Sequence, residues 1–235
     1  MTSSAHMLSA SLKSLDRSRL LHLVETASAL RNRQLENRLT DYWPYTKQCE
    51  FHEAGATSRE RLLMAGNQLG KTYCGAAEVA MHLTGLYPDW WGGRRWDRPT
   101  RWWAGSKTGE VTRDGVQRYL VGEPKDENQW GRGMIPKATL ADWGRRQGIA
   151  DALDNVTVRH ASGGISTLGF KSYDQGRQKW QGETLDGVWC DEEPPMDIYM
   201  EALTRTNATG GMTMITFTPL LGMSTVVTMF LGDAV

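Results

Sequence analysis

Cysteine is scarce in this chain. Cys49, Cys74 and Cys190 are odd in number and far apart, with no C-x-x-C pair, which argues against both a disulfide framework and a zinc site and leaves them as packing residues. No run approaches the roughly eighteen consecutive apolar residues that a membrane-crossing helix needs, and the N-terminus lacks the charged-then-apolar order of a secretory signal. The expectation is a soluble protein of the cytoplasm with no membrane partner. Net charge is missing too: 27 basic and 27 acidic residues cancel, so no global field draws in nucleic acid and any contact with DNA must be local. The final residues, Leu231-Gly232-Asp233-Ala234-Val235, carry no charged tail, and the expectation is a fragment cut at an inter-domain connection.

Apolar residues are sufficient for a full core: they make up 40% of 235 residues, enough for one large domain or two small ones. The ten tryptophans read first as buried or half-buried packing residues rather than as stacking platforms for bases.

The informative stretch is Arg61-Leu62-Leu63-Met64-Ala65-Gly66-Asn67-Gln68-Leu69-Gly70-Lys71-Thr72, which reads as strand, glycine-containing loop and helix start. Four residues separate Ala65 from Gly70-Lys71-Thr72, the spacing of G-x-x-x-x-G-K-[ST] with Ala in place of the first Gly. Gly66, next along, is expected to supply the unusual backbone angles of the tight turn. Consecutive backbone N–H groups and a helix N-terminus would face an anion, Lys71 would add charge toward the β- and γ-phosphates, and the Thr72 hydroxyl is a ligand for Mg²⁺.

A second element is Gly187-Val188-Trp189-Cys190-Asp191-Glu192-Glu193-Pro194-Pro195, an apolar strand that delivers carboxylates at its C-terminal end. Asp191 is expected to hold Mg²⁺ directly or through water, and Glu192 to orient and deprotonate an attacking water. Together with the phosphate loop, the pair points to nucleotide hydrolysis. Thr213 to Pro219 is a further β-branched strand, and a Thr at its end could sense the γ-phosphate.

Elsewhere, Met1 to Ala10 lacks periodicity and is expected to be disordered. From Asp16, a candidate N-cap, Leu20, Leu23, Val24, Ala27 and Leu30 follow helical spacing. The simplest reading is a helix packed on the sheet, with partner docking as the alternative. Trp43-Pro44-Tyr45 leads into a short helix, Thr72 to Leu83 forms a buried one, and Asp89 to Arg101 is a basic-aromatic cluster, either solvated with internal cation–π contacts or turned to a phosphate backbone. Arg101 to Ser106 reads as a strand and Glu110 to Leu120 as its helix; 122–150 reads as an insertion; Thr157 to His160 and Ser166 to Phe170 form a hairpin around Ser162-Gly163-Gly164.

These motifs, with Gly75 to Gly85, Trp189 to Pro195 and Thr216-Phe217-Thr218-Pro219-Leu220, resemble the large terminase subunit of tailed double-stranded-DNA bacteriophages, most of all the branch that infects enteric bacteria with short-tailed particles. The resemblance runs from about Tyr42 to the end, leaving 1–41 as a tail and amphipathic helix. It implies an α/β fold, an additional-strand P-loop ATPase with a mostly parallel central sheet flanked by helices. It also implies a motor that hydrolyses ATP with Mg²⁺ to drive double-stranded DNA into a procapsid. Implied partners are the portal protein, a small terminase subunit and further copies in a pentameric ring, in the host cytoplasm and transiently on the portal. On the family pattern Gln48 and Tyr45 contact adenine, and Ala65, Gly66, Asn67, Gln68, Leu69, Gly70, Lys71 and Thr72 hold the phosphates. Asp191 and Glu192 form the acidic pair, Arg177 reaches a neighbouring subunit's nucleotide, and Thr216 and Thr218 couple hydrolysis to movement. The family's nuclease, which cuts concatemeric DNA, is expected only in the full-length protein. A helicase-like ATPase, which would need a second motor domain, and a nucleotide-dependent assembly module with little turnover are the rivals.

Overall fold

The computed structural model describes residues 17–219 and 224–232, so the expectations for Met1 to Ala10 and for the Asp16 cap lie outside the described residues. One sheet of seven strands organises the chain: β1 (Glu60–Met64), β2 (Arg101–Ser106), β3 (Leu140–Arg145), β4 (Leu153–Arg159), β5 (Ile165–Ser172), β6 (Gly187–Asp191) and β7 (Met212–Phe217), in the order β1-β7-β6-β2-β5-β4-β3. The five strands from β1 to β5 in that order run parallel, β4 pairs antiparallel with β5, and β3 pairs antiparallel with β4. The burial pattern follows position in the sheet. Every residue of β6 and β7 is buried, as a parallel strand covered on both faces requires, whereas β4 and β5 alternate buried and exposed positions, leaving one face to solvent.

β7 lies between β1 and β6, so the strand that leads into the Ala65–Gly70 loop and the strand that ends at Asp191 are separated by one inserted strand. This is the additional-strand arrangement the sequence implied. Because β1, β2, β6 and β7 are parallel, their C-terminal ends gather on one edge.

Helices cover both faces. α1 (Arg17–Leu35) and α2 (Thr46–Ala54) come first, then α3 (Lys71–Thr84) directly after the loop. α4 runs from Gly109–Val111 through a π-helical turn at Thr112–Gln117 to Arg118–Leu120, and α5 (Met196–Asn207) and α6 (Thr225–Leu231) follow the acidic strand and β7. α3 buries Cys74, Ala76, Ala77, Val79, Ala80, Met81 and Leu83. Burial of the larger of these side chains stabilises the fold by about 1.5–3 kcal/mol apiece. Gly75 is required here: a side chain would run into the Trp189 indole beneath it. On the other face Ile198, Tyr199 and Ala202 of α5 pack with Trp180, Val188, Cys190 and Ile215.

α3 also buries one acid, Glu78. It is fully buried and paired with Arg61 of β1, accepts from His52 Nδ1 of α2 at 2.6 Å and lies 3.4 Å from His82 Nε2, while the Tyr42 hydroxyl meets His52 Nε2 at 2.9 Å. Burial alone would push Glu78 up, but Arg61 and the two histidine hydrogen bonds outweigh it and hold its carboxyl well below the usual range.

Two expectations change, and the basic-aromatic cluster takes the first of its two readings. α1 buries no residue, and Leu21, Leu23, Val24 and Leu30 stay exposed, so it does not pack on the sheet; its apolar residues are diluted by Ser18, His22, Thr26 and Ser28, and Leu21 stands off the stripe. The helix is tied down just past its end, where Lys137 Nζ meets Glu36 Oε1 at 2.8 Å. The stretch 122–150 is built into the domain, placing Trp130, Met134 and Ile135 in the core and β3 on the sheet. The basic-aromatic cluster is engaged internally: Arg94 and Arg98 lie over Trp96 at 3.9 and 4.8 Å, and Arg98 pairs with Asp186 at 2.7 Å. Among the described residues no helix is long and apolar enough to cross a membrane.

Candidate active site

The loop from Ala65 to Gly70 joins the end of β1 to the start of α3. Left-handed angles are taken by Gln68 (φ 61°) and Gly70 (φ 74°), not by Gly66. The expectation for Gly66 is therefore corrected. The chain reverses just before the helix, and a side chain at 66 would meet only Leu69 at an ordinary 3.6 Å. Lys71 is buried, and its Nζ donates to the Gly66 carbonyl at 2.6 Å, which holds the ammonium across the loop. Gln48 braces the loop from α2: its Nε2 donates to the carbonyls of Leu69 (3.3 Å) and Gly70 (3.2 Å), while its Oε1 accepts from Tyr45 N–H at 3.0 Å. From the other side the Thr218 hydroxyl donates to Asn67 Oδ1 at 3.0 Å.

Opposite the loop, Asp191 ends β6 with its carboxylate buried. Thr72 of α3 donates to Oδ1 at 3.0 Å and Thr216 of β7 donates to the same oxygen at 2.8 Å, while Trp189 Nε1 donates to Thr216 Oγ1 at 2.8 Å. Burial pushes Asp191 up to about 6, partly offset by the two threonine hydroxyls. The register of β6 on β7, with Asp191 opposite Thr216, makes this contact obligatory.

Glu192 follows in a left-handed backbone, φ 73°. Its N–H donates to the Thr216 carbonyl at 2.7 Å and its carbonyl accepts from the Tyr173 hydroxyl at 2.7 Å. Its carboxylate is 3.8 Å from Lys107 Nζ. Burial holds the Tyr173 phenol well above its ordinary value, so it remains a donor. Lys107 and Tyr173 were not found by sequence reasoning; the only available signal was that each directly follows a strand, β2 and β5.

Among the described residues no group of three or more His, Cys, Asp or Glu could hold a metal by itself. A buried carboxylate hydrogen-bonded by hydroxyls, one of them on the loop helix, nevertheless fits Mg²⁺, which takes oxygen ligands and usually shares its shell with water and substrate phosphates. Thr72 and Asp191 are the residues that would hold it.

A cavity of about 780 Å³ opens beside the loop between α2, β1 and α6, with Tyr45, Gln48, Ala65, Leu69 and Lys71 on its wall and Phe51 and Phe230 providing apolar surface. Its size and apolar walls suit a nucleoside. Arg177 stands apart. It lies on the turn Arg177–Trp180, more than half exposed, with Nε donating to Glu201 Oε2 of α5 at 2.9 Å; Glu201 also receives Gln181 (3.3 Å) and Arg205 (3.0 Å). The fold thus gathers Lys71, Thr72, Asp191, Glu192, Thr216 and the loop braces Gln48 and Thr218, with Tyr45 at the cavity.

The family model described as terminase large subunit, T4likevirus-type, N-terminal, matches residues 62–234. The chain belongs to the terminase large subunit family. The matched residues begin inside β1 and include the loop from Ala65 to Gly70, Asp191, Glu192, Arg177 and β7; Tyr45 and Gln48 precede them. The large terminase subunit of Salmonella phage P22 is 45% identical over 231 residues, covering 91% of this chain and 46% of that protein. That of Enterobacteria phage LP7 is 26% identical over 243 residues, covering 91% of this chain and 47% of that protein. This terminase chain therefore spans about half the length of the curated relatives it matches. The large terminase of a thermophilic bacteriophage, known from its solved structure, shares the fold, with a TM-score of 0.52 and 13% identity over 74% of this chain and 39% of that one.

Proposed function

We propose that this terminase domain hydrolyses ATP and is the motor that drives double-stranded DNA into a procapsid. One observation carries the reading. Hydroxyls from the loop helix (Thr72) and from the inserted strand (Thr216) converge on the buried carboxylate of Asp191, with Glu192 next in the chain.

In this reading the β- and γ-phosphates of ATP lie on the loop N–H groups at the N-terminus of α3, and Lys71 turns from the Gly66 carbonyl to the phosphates. Thr72 and Asp191 would hold Mg²⁺, which would supply neutralisation of the phosphate charge. Glu192 accepts the proton of a water placed in line with the γ-phosphorus. Tyr45 and Gln48 border the adenine at the cavity, and because Gln48 also bonds Leu69 and Gly70, base binding would be felt in the loop. Thr216 and Thr218 link the acid and the loop through one strand, which suits a role in coupling hydrolysis to movement. Arg177 would act on the nucleotide of a neighbouring copy in a ring of five, where a guanidinium matches the charge that spreads over the phosphoryl group.

The partners in this proposal are duplex DNA, the portal protein, a small terminase subunit and further copies of the chain, in the host cytoplasm and transiently at the portal. The whole protein would add a nuclease that cuts concatemeric DNA. The deciding experiment is ATP turnover against protein concentration, with and without linear duplex DNA, using Glu192→Gln as the blank. Turnover per subunit should rise with concentration and rise further with DNA. Turnover that survives Glu192→Gln would overturn the assignment of the base, and a rate indifferent to DNA at every concentration would overturn the motor.

A further inference from the structure

The backbone of Glu192 lies where few residues other than glycine settle, at φ 73°. Two hydrogen bonds hold it there. The N–H is bound by the sheet, through the Thr216 carbonyl at 2.7 Å. The carbonyl is bound by a side chain from elsewhere, the Tyr173 hydroxyl, also at 2.7 Å.

Tyr173 is well placed to impose a conformation. Its hydroxyl also lies 3.3 Å from the Asp191 carbonyl and 3.4 Å from the Gly105 carbonyl, so it sits where the C-terminal ends of β6 and β2 meet. It has one proton to give, and the shortest contact is to Glu192. The ring is buried and packs against Trp180 with 5.9 Å between centroids. The turn it starts is locked from below by Ser172 N–H donating to Gln175 Oε1 at 3.1 Å. The anchor is rigid, while the residue it holds is in a strained state that needs holding.

We propose that Tyr173 is a positioning residue of the hydrolytic site: its hydroxyl, bound to the Glu192 carbonyl, keeps the left-handed backbone that aims the Glu192 carboxylate at the attacking water. The proposal rests on the reading of Glu192 as the base. An extended backbone at 192 would send the side chain from the same Cα in a different direction, and in-line attack tolerates little error in the aim of the base. A tyrosine that served packing alone would act through its ring, which phenylalanine preserves.

The test is Tyr173→Phe, which removes the hydroxyl and keeps the ring. The kcat for ATP should fall by about tenfold to a hundredfold, with KM and the affinity for a fluorescent ATP analogue unchanged. Replacing Tyr173 with 4-aminophenylalanine, which returns a donor to the same place, should restore most of the rate. An undiminished kcat in Tyr173→Phe while Glu192→Gln abolishes turnover would overturn the role of Tyr173 and leave the ATPase reading standing. Turnover surviving in Glu192→Gln would instead remove the reading beneath it. A Tyr173→Phe protein that unfolds, or one that loses nucleotide affinity in step with kcat, would place the hydroxyl in the fold and overturn the proposal.

Discussion

The Thr216 hydroxyl donates to Asp191 Oδ1 at 2.8 Å across the boundary between β7 and β6, and the same hydroxyl accepts from Trp189 Nε1 at 2.8 Å. Both bonds are buried. Thr216→Val keeps the shape but leaves the indole N–H without its acceptor and removes a donor from the buried carboxylate. An unsatisfied buried group of this kind costs about 1–3 kcal/mol. Equilibrium denaturation should show a loss of that size, and titration of Mg²⁺ in the presence of ATP should show weaker metal dependence. A variant with wild-type stability would mean that the indole finds another acceptor.

Thr218, two residues further on, touches the loop through Asn67 at 3.0 Å and is only half-buried. Thr218→Ala should change stability by no more than about 0.5 kcal/mol, as expected of a peripheral site. If β7 couples the acid to the loop, basal ATP turnover in this variant should persist while the increment produced by duplex DNA falls. Equal losses in basal and DNA-stimulated rates would assign Thr218 to nucleotide binding alone.

The parts of the site that could be read from sequence are those contiguous in it. The run from Ala65 to Thr72 carries its own geometry, a strand, a loop and a helix start, and Asp191 is marked by the apolar strand before it. The contacts that complete the site are set by register and topology: Thr216 meets Asp191 because β7 is inserted beside β6, and Tyr173 reaches Glu192 because β5, β2 and β6 run parallel and end on the same edge. Backbone strain was equally hidden, since nothing in the composition around Gln68 or Glu192 marks a left-handed residue. Glu78 is the one acid in the largely apolar helix α3. Only the placement of α2, β1 and α3 brings His52, Arg61 and His82 around it.

That buried group sets the response to acid. Glu78 is held well below its ordinary 4.5, and His82 is pushed below 6.5 by burial, so over the acid range both bind fewer protons folded than unfolded. Their stabilisation is present above those ordinary values and is lost as the pH falls through the folded ones, beginning below about 6.5 for His82 and deepening below about 4.5 for Glu78. Asp191 works the other way. Raised to about 6 from 3.8, it opposes folding while ionised, and that penalty is relieved as the pH falls through 6. Glu78→Gln should strand the Arg61 guanidinium, lower stability at neutral pH by about 3–5 kcal/mol and flatten the acid limb. Urea unfolding at a series of pH values measures both, and an unchanged acid limb would remove Glu78 as its origin.

Arg177 offers the sharpest test of assembly, because its own fold holds it away from the loop, on Glu201 at 2.9 Å, with the side chain 58% exposed. An ion pair so exposed contributes under about 1 kcal/mol, and Glu201 keeps Arg205 when Arg177 leaves, so Arg177→Ala should unfold much like the parent domain. If the guanidinium serves the neighbour's nucleotide, the variant should bind ATP normally and lose the turnover that grows with protein concentration. Lys71→Ala fails for the opposite reason, having an intact arginine but no phosphate grip. Mixing the two inactive variants should then recover part of the turnover, since a Lys71 site can be completed by an Arg177 from the other partner. No recovery at concentrations where the parent is cooperative would mean that Arg177 acts within its own subunit or serves only the surface.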